Sequence, residues 1–206
     1  MVPGAPQRLT EKNACPPPGD PGRYVATVFL RCSEFDFCQL RTHEPMDIEV
    51  RYLDEVPSAL RILAQWFRDE WEPYYGPAGH GDAGHGDAEA DLKACCQRDE
   101  LPIGLVAVSG EGQVLGTIAL KSTSISHEHL RPWGAAFLVG KGHRRQGVGY
   151  ALIAALEDVA RRHGFESVYM STDGAANLVE RRGWRQFDKA ESLRGPVRVY
   201  EKHLQS

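Results

Sequence analysis

The residues with the clearest chemical potential form a glycine-containing turn with two adjacent arginines, Arg144 to Tyr150. The turn follows the apolar run 135–139 and opens an amphipathic segment that predicts a helix through His163. A helix N-terminus offers unpaired backbone N–H groups and partial positive charge, and glycines let a ligand approach the backbone closely. The arginines add full positive charge. The pattern therefore predicts a site for an anion, in particular a pyrophosphate.

The spacing of this turn excludes two common phosphate motifs. A P-loop would need Lys and then Ser or Thr after its glycines, whereas Tyr150 follows Gly149 here. A dinucleotide fingerprint would need a third glycine or alanine where this chain has Leu152. The pattern that fits is Arg/Gln-x-x-Gly-x-Gly/Ala, with Arg144 and Gly147 in its first two defined positions.

This pattern resembles the central motif of the GNAT (GCN5-related N-acetyltransferase) superfamily. Three other segments resemble family elements at matching distances: 114–120, 164–170, and 178–184 with its final Gly-Trp. The resemblance spans about 47–203. It implies an α+β fold with a central mixed, mostly antiparallel twisted sheet flanked by helices. It also implies an N-acetyltransferase that moves an acetyl group from acetyl-CoA to the amine of a small molecule or to an exposed amino group.

The resemblance also assigns residues to the cosubstrate. In this family the turn binds the pyrophosphate, and the preceding strand diverges from its neighbour so that its backbone pairs with the pantetheine arm. A backbone N–H at Leu138 or Val139 would then polarise the thioester carbonyl. The residues assigned to acetyl-CoA are Phe137, Leu138, Val139, Arg144, Arg145, Gln146, Gly147, Val148, Gly149 and Tyr150.

Acetylation of an amine needs a group that removes a proton from the amine, because alkylamines are mostly protonated near pH 7. The candidate bases are His127 and Glu128, with His129 beside them, in the loop 122–131; a solvated turn is the alternative. Many family members have a Tyr in the last helix that protonates the thiolate, but Val179 stands there. Either another residue serves, or the thiolate leaves unaided, which its moderate pKa permits. The other tyrosines considered are Tyr150, Tyr169 and Tyr200.

Three aromatic residues, Trp71, Tyr74 and Tyr75, lie where family members build the acceptor pocket. Carboxylates between and beside such aromatic side chains suit a cationic amine. Plain packing in the core is the alternative. Two copies of Gly-His-Gly-Asp-Ala follow at 79–83 and 84–88, and their glycine content predicts a mobile loop, with no metal site assigned.

Hydrophobic periodicity predicts the elements that position these residues. In the long helix, Glu157 with Arg161 and Asp158 with Arg162 are expected to form exposed i,i+4 pairs. The predicted strands are 47–53, 103–108, 113–121, 132–139, 166–171, 184–188 and 196–203, and the predicted helices are 57–71, 88–96, 147–163 and 175–182.

Composition limits the classes of function. The 206 residues predict an N-acetyltransferase domain over 46–206, preceded by a Pro/Gly-rich, poorly ordered extension over 1–45 in which 24–30 is a candidate strand. A formal net charge of −4 indicates no nucleic-acid partner. No apolar run reaches about 18 residues, so no membrane association is predicted. Five cysteines without metal-type spacing favour a reducing, cytoplasmic location, and a homodimer is compatible with the resemblance.

Two other classes of function remain open at this point. Val179 at the tyrosine position favours a non-catalytic acyl-CoA-binding sensor or regulatory module on the same fold. The other alternative is an interaction protein in which the N-terminal 45 residues are the functional part.

Overall fold

The computed structural model describes residues 24–25, 47–75, 86–124, 127–192 and 194–204. Apart from Tyr24–Val25, the predicted N-terminal extension lies outside these ranges, and so does most of the duplicated Gly-His-Gly-Asp-Ala segment. None of the helices in these ranges is long and apolar enough to cross a bilayer.

The described strands form one mixed sheet, as predicted. All neighbouring strands are antiparallel except β5 and β6, which run parallel, and the order across the sheet is β1-β2-β3-β4-β5-β6-β8-β7. The strands are β1 (Tyr24–Val25), β2 (Ile48–Tyr52), β3 (Ile103–Ser109), β4 (Val114–Lys121), β5 (Trp133–Val139), β6 (Ser167–Thr172), β7 (Arg185–Ser192) and β8 (Gly195–His203).

The α-helices are α1 (Ala59–Glu70), α2 (Glu72–Tyr75), α3 (Ala88–Ala94), α4 (Val148–Arg162) and α5 (Ala176–Arg181). All except α2 begin and end within a few residues of their predicted bounds, and α2 was not predicted. Strand β7 is longer than the predicted 184–188 and continues to Ser192. Its side chains are almost all exposed, so no apolar alternation signals its length, and its pairing with β8 extends it instead.

Two apolar clusters cover the two faces of the sheet. The first joins α4 and α5 to side chains from β2 to β6 and from β8, and it includes the buried Tyr200. The second joins α1 and α3 to β3, β4 and Leu138, and it holds no residue of β6, β7 or β8 among those that the structure describes. On the face of the sheet opposite α4, within the described ranges, helices α1 and α3 therefore cover β3 and β4 but not β6, β7 or β8.

Glu157 corrects one expectation. The predicted i,i+4 contact is present, since Arg161 lies 3.8 Å from Glu157, but Glu157 is only 2% exposed and not solvated as expected. Both its oxygens accept hydrogen bonds from Arg182, at 3.0 and 2.7 Å, and one also accepts from the Trp184 indole at 2.8 Å. A buried carboxylate needs such partners. They come from α5 and the turn after it, which the periodicity of α4 alone does not reveal.

The residues of the second expected pair have further partners. Asp158 forms an ion pair with Arg161, three residues on. The Arg162 guanidinium donates to the Tyr52 hydroxyl at 3.1 Å. Arg162 thus ties α4 to β2.

Loss of the Arg182 guanidinium should destabilise the fold strongly. Arg182→Met leaves a buried carboxylate without its main counter-charge, and we expect the free energy of unfolding to fall by about 3 kcal/mol. Arg181→Met, the same change at the exposed neighbouring position, should cost less than about 0.5 kcal/mol. Urea denaturation of the two variants measures both values. Equal losses would show that the Glu157 contact is not a stabilising one.

Candidate functional site

Strands β5 and β6 separate soon after they meet. Their parallel pairing covers only two positions, Trp133 with Tyr169 and Gly134 with Met170. Beyond these positions β5 continues to Val139 without pairing to β6. We call the resulting gap the wedge: its apex lies at the two pairs, and its mouth lies beside Val139, where the chain turns into α4.

A β-bulge in β5 contributes to this separation. Thr117 pairs with Leu138, but Ala119 pairs with Ala135, so one residue of β4 faces two of β5. Ala136, inside the bulge, has a φ of 52°, which is uncommon for a residue with a side chain. A bulge bends its strand and increases the local twist. The bend lets β5 follow β4 while it diverges from β6.

The backbone of Val139 points into the wedge. Gly140 N–H donates to Leu115 O at 3.0 Å, so the alternation of an antiparallel ladder turns the N–H and C=O of Val139 away from β4. The Val139 carbonyl accepts a hydrogen bond from Arg144 Nε at 3.1 Å. Leu138 has the opposite orientation, with its backbone towards β4 and its side chain in the second cluster. Of these two neighbouring N–H groups, the structure directs that of Val139 towards the wedge.

The turn after β5 leaves several amides without helical partners. Gly147, the residue before α4, has a φ of 91°, and Arg145 has a φ of 63°. The first helical hydrogen bond runs from Ala151 N–H to Gly147 O at 3.1 Å. The N–H groups of 148–150 therefore point out of the helix end, where the helix dipole adds partial positive charge.

The two glycines of the turn have different roles. A Cβ at Gly149 would lie 2.9 Å from Leu178 Cδ2 and 3.1 Å from Phe137 Cζ, so this glycine allows α4 to pack against α5 and β5. Among the described residues, a Cβ at Gly147 would meet only Ile48 Cδ1, at 3.7 Å. The space in front of Gly147 is thus open to a ligand, while its positive φ disfavours most side chains.

Ion pairs surround the mouth of the wedge. Arg144 donates to Glu70 at 3.2 Å, and the other oxygen of Glu70 lies 3.4 Å from Arg194, in the turn between β7 and β8. Gln146 donates to Gly142 O at 3.0 Å, which closes the turn on itself. The mouth therefore holds two arginines around one carboxylate.

Tyr150 connects the turn to the buried ion pair. Its ring is about half exposed and lies under the Arg182 guanidinium, at 4.4 Å from ring centroid to Cζ. The same guanidinium holds Glu157. The start of α4 is thereby fixed against the end of α5.

His127 lies next to the apex of the wedge. Its Nε2 is 3.0 Å from Asp188 Oδ2, and its ring centroid is 5.9 Å from that of Trp133. The hydrogen bond from His127, and then the backbone N–H of Lys189, lower the pKa of Asp188. Glu128, the other predicted base, is exposed. The structure thus brings His127, and not Glu128, to the paired end of the two strands.

Trp71 and Tyr74 pack against other aromatic rings. The Trp71 ring meets Phe67 edge-on at 4.7 Å, and Tyr74 meets Tyr75 edge-on at 4.6 Å. Trp71 belongs to the second apolar cluster. The contacts of Trp71 are compatible with core packing, the alternative considered for it from the sequence.

Tyr75 is nearer to the bulge. Its hydroxyl donates to Asp91 Oδ2 at 2.6 Å, and burial raises the pKa of its phenol. Tyr75 lines a small cavity together with Lys121 and Ala136 of the bulge. Of the three aromatic residues predicted for the acceptor, only Tyr75 lines this cavity.

The tyrosines considered as acids occupy different places. Val179 is fully buried in the first cluster, as is Tyr200, whose hydroxyl donates to Glu180 at 2.9 Å. Tyr169 lies at the apex, and its hydroxyl donates to Glu201 at 3.2 Å. Tyr200 is therefore enclosed by the core, whereas Tyr169 faces the side that α4 does not cover.

A search with family models matches residues 60–184, more than half of the chain, to the acetyltransferase (GNAT) family. The chain belongs to the GNAT family. The predicted resemblance and fold are thereby confirmed. A search of curated proteins returned no match.

Solved GNAT structures share this fold. An aminoglycoside 6'-N-acetyltransferase complexed with coenzyme A has a TM-score of 0.60 at 14% identity, over 76% of this chain and 97% of that one. A GCN5-related N-acetyltransferase from Kribbella flavida has a TM-score of 0.59 at 21% identity, over 76% of this chain and 98% of that one. The third is yncA, a putative acetyltransferase from Salmonella typhimurium with its cofactor acetyl-CoA. It has a TM-score of 0.59 at 16% identity, over 77% of this chain and 94% of that one. Identities this low establish the fold alone.

The acidic partners of His127 and Arg144 in this GNAT chain could not be identified from the sequence. Asp188 is 61 residues from His127, and Glu70 is 74 residues from Arg144. Neither acid stands in a local motif, and Asp188 lies in the part of β7 that lacks apolar alternation. Only the pairing of β7 with β8 brings Asp188 to the apex.

The hydrogen bond from His127 should be visible in the titration of Asp188. His127→Gln removes the imidazole, so the pKa of Asp188 should rise towards its ordinary value, whereas His163→Gln at the far end of α4 should leave it unchanged. Carbon NMR of the Asp188 carboxyl measures this shift. Because the folded-state pKa is the lower one, the contact adds stability above the unfolded pKa and loses it as pH falls. An unaltered Asp188 titration in His127→Gln would contradict the contact.

Proposed function

We propose that this GNAT protein transfers an acetyl group from acetyl-CoA to the amine of a small molecule or to an exposed amino group. The observation that carries the proposal is the wedge. Its mouth meets the unpaired amides of 148–150, and its apex lies beside His127. A cosubstrate anchored at the mouth can therefore reach a proton acceptor at the apex.

The turn suits the pyrophosphate of acetyl-CoA. Free N–H groups, the helix dipole and the exposed Arg145 converge on the open space in front of Gly147. Arg144 can add a charge-assisted hydrogen bond when it exchanges Glu70 for a phosphate oxygen. The solved neighbours with coenzyme A or acetyl-CoA support this choice of cosubstrate.

The wedge suits the pantetheine arm. From Gly134 to Val139 the strand lies along Gly116 to Leu120 of β4, so it rises roughly 13 Å, at about 3.3 Å per residue. Val139 directs its N–H into this length, where the arm can pair with it. For the oxyanion of the thioester we assign a backbone N–H of β5, and that of Phe137, next to the bulge, is deeper in the wedge than the N–H groups of Leu138 and Val139 that were considered from the sequence. The acyl group lies at the inner end, towards Trp133.

The reaction needs few side chains. His127 takes one proton from the ammonium group, the amine nitrogen bonds to the thioester carbon, and the C–S bond then breaks while the second proton of the nitrogen passes to the departing thiolate, which gives the amide and the free thiol. Thiolate is a good leaving group because the pKa of a thiol is near 8.5, so no dedicated acid is required. This agrees with Val179, which fills the core and offers no proton. Asp188 positions the imidazole through Nε2.

A non-catalytic acyl-CoA-binding module is the second candidate, and Val179 in the tyrosine position favours it. The two candidates share the cosubstrate site and differ in turnover. Binding of acetyl-CoA without release of free thiol in the presence of any amine would select the second candidate.

A side chain at Gly147 should block the cosubstrate. Asn tolerates positive φ, so Gly147→Asn should fold and place its amide where the pyrophosphate approaches. We expect affinity for coenzyme A to fall by at least about tenfold, or about 1.4 kcal/mol. Gly164→Asn is the matched control, because Gly164 has a φ of 78° and open space at the other end of α4. Isothermal titration with coenzyme A compares them, and equal affinities would remove the turn from the cosubstrate site.

His127 should be required for turnover but not for binding. We expect His127→Gln to lower kcat by about a hundredfold, the low end for loss of a general base, with unchanged coenzyme A affinity. Asp188→Asn should lower kcat less and alter its pH dependence, because it acts through the imidazole. His163→Gln serves as the control. Release of free thiol with a panel of alkylamines is the measurement, and full activity of His127→Gln would exclude it as the base.

A further inference from the structure

Four aromatic rings form a closed circuit at the apex of the wedge. The ring centroids of His127 and Trp133 are 5.9 Å apart, those of Trp133 and Tyr169 are 5.9 Å apart, and those of Tyr169 and Phe187 are 5.9 Å apart. The circuit closes from Phe187 to His127 at 6.0 Å. We call these four residues the ring box. They come from the loop before β5 and from β5, β6 and β7.

The ring box has a buried floor and an exposed rim. Trp133 is 2% exposed, and its indole N–H donates to Leu130 O at 2.9 Å, which fixes the floor. Phe187 is 37% exposed and forms the rim. None of the described residues of α1 or α3 joins β6, β7 or β8 in an apolar cluster with them, so these helices do not seal the rim.

Acidic side chains border the rim. Asp188 is hydrogen-bonded to the imidazole of His127, and the Glu201 carboxylate accepts from the Tyr169 hydroxyl. Glu201 also lies 3.1 Å from Arg185 and 3.6 Å from His203, so its charge is shared. Asp188, more than half exposed, is the carboxylate with more contact to solvent. The box thus combines π faces with negative charge.

We propose that the ring box is the subsite that receives the acceptor as a cation. The proposal rests on the proposed function and names the acceptor class: an alkylamine that arrives as an ammonium ion, not a neutral arylamine. Ring faces attract a cation within about 6 Å of the centroid. Asp188 supplies the counter-charge. The ammonium then gives one proton to the His127 imidazole, and the neutral amine attacks the acyl carbon in the wedge.

This combination differs from a plain aromatic core. Core rings are normally enclosed by apolar side chains, whereas Phe187 faces solvent and the box is bordered by carboxylates. A single exposed aromatic ring is common on protein surfaces, but Phe187 is joined to three other rings and lies next to the carboxylate of Asp188. Both the Phe187 ring and the Asp188 carboxylate would contribute to binding an organic cation.

The test uses a cation that cannot be acetylated on nitrogen. Choline carries a quaternary ammonium group, and its neutral carbon isostere has the same shape without the charge. Both are titrated into the full chain, and the indole N–H signal of Trp133, assigned with Trp133→Phe, reports binding. We expect choline to bind about tenfold more tightly than the isostere, within the range of desolvated cation–π contacts.

Variants locate the site and separate the two proposals. Phe187→Leu should remove most of the preference for choline, Phe187→Tyr should retain it, and Phe165→Leu, against the opposite cluster, should leave it unchanged. Equal binding of choline and its isostere, or a preference that survives Phe187→Leu, would overturn the ring box as a cation site. Since choline binding needs no turnover, failure of the acetyl-transfer assay alone would refute only the proposed function.

Discussion

The separation of β5 from β6 is the constraint on which the candidate site depends. A continuous sheet would satisfy the backbone groups of both strands and leave no room for a ligand. Here the pairing stops after Gly134 and Met170, and the bulge at Ala136 carries β5 away along β4. Unpaired backbone groups in such a gap are costly without a partner. An extended ligand with amide groups can supply those hydrogen bonds, which is why the gap and the anion-binding turn make sense together.

A buried ion pair holds the other wall of the site. Glu157 accepts from Arg182 and Trp184, which lie between α5 and β7. Strand β7 begins at the next residue, Arg185, and carries Phe187 and Asp188. The geometry of the ring box therefore depends on a carboxylate on the opposite face of the sheet. Ion pairs of this kind contribute little net stability compared with apolar packing, but they define one arrangement.

Local features of the site could be predicted from the sequence, and distant ones could not. Gly147 and Gly164 mark the two ends of α4 because positive φ needs glycine, and the structure has both in that conformation. The burial of Glu157 was missed because helical periodicity contains no information about α5. The contact between His127 and Asp188 was missed for the same reason, since it depends on the register of β7 with β8. Sequence patterns thus located the ends of α4 better than the long-range contacts of Glu157 and His127.

Two of the arginines at the mouth of the wedge share a carboxylate that an incoming anion could displace. Glu70 lies between Arg144 and Arg194 and offsets their charge while no anion is present. Such partly exposed ion pairs are worth about 1 kcal/mol or less, so a ligand can displace Glu70 at small cost. A pyrophosphate can form more hydrogen bonds at the mouth than the Glu70 carboxylate does, because it can bond the helix amides and an arginine at the same time. Arg194 stands in the turn of the β7–β8 hairpin, so release of Glu70 from Arg144 leaves the hairpin still tied to α1. Under the proposed function, an exchange at the mouth would therefore leave β7, and the ring box on it, tied to α1.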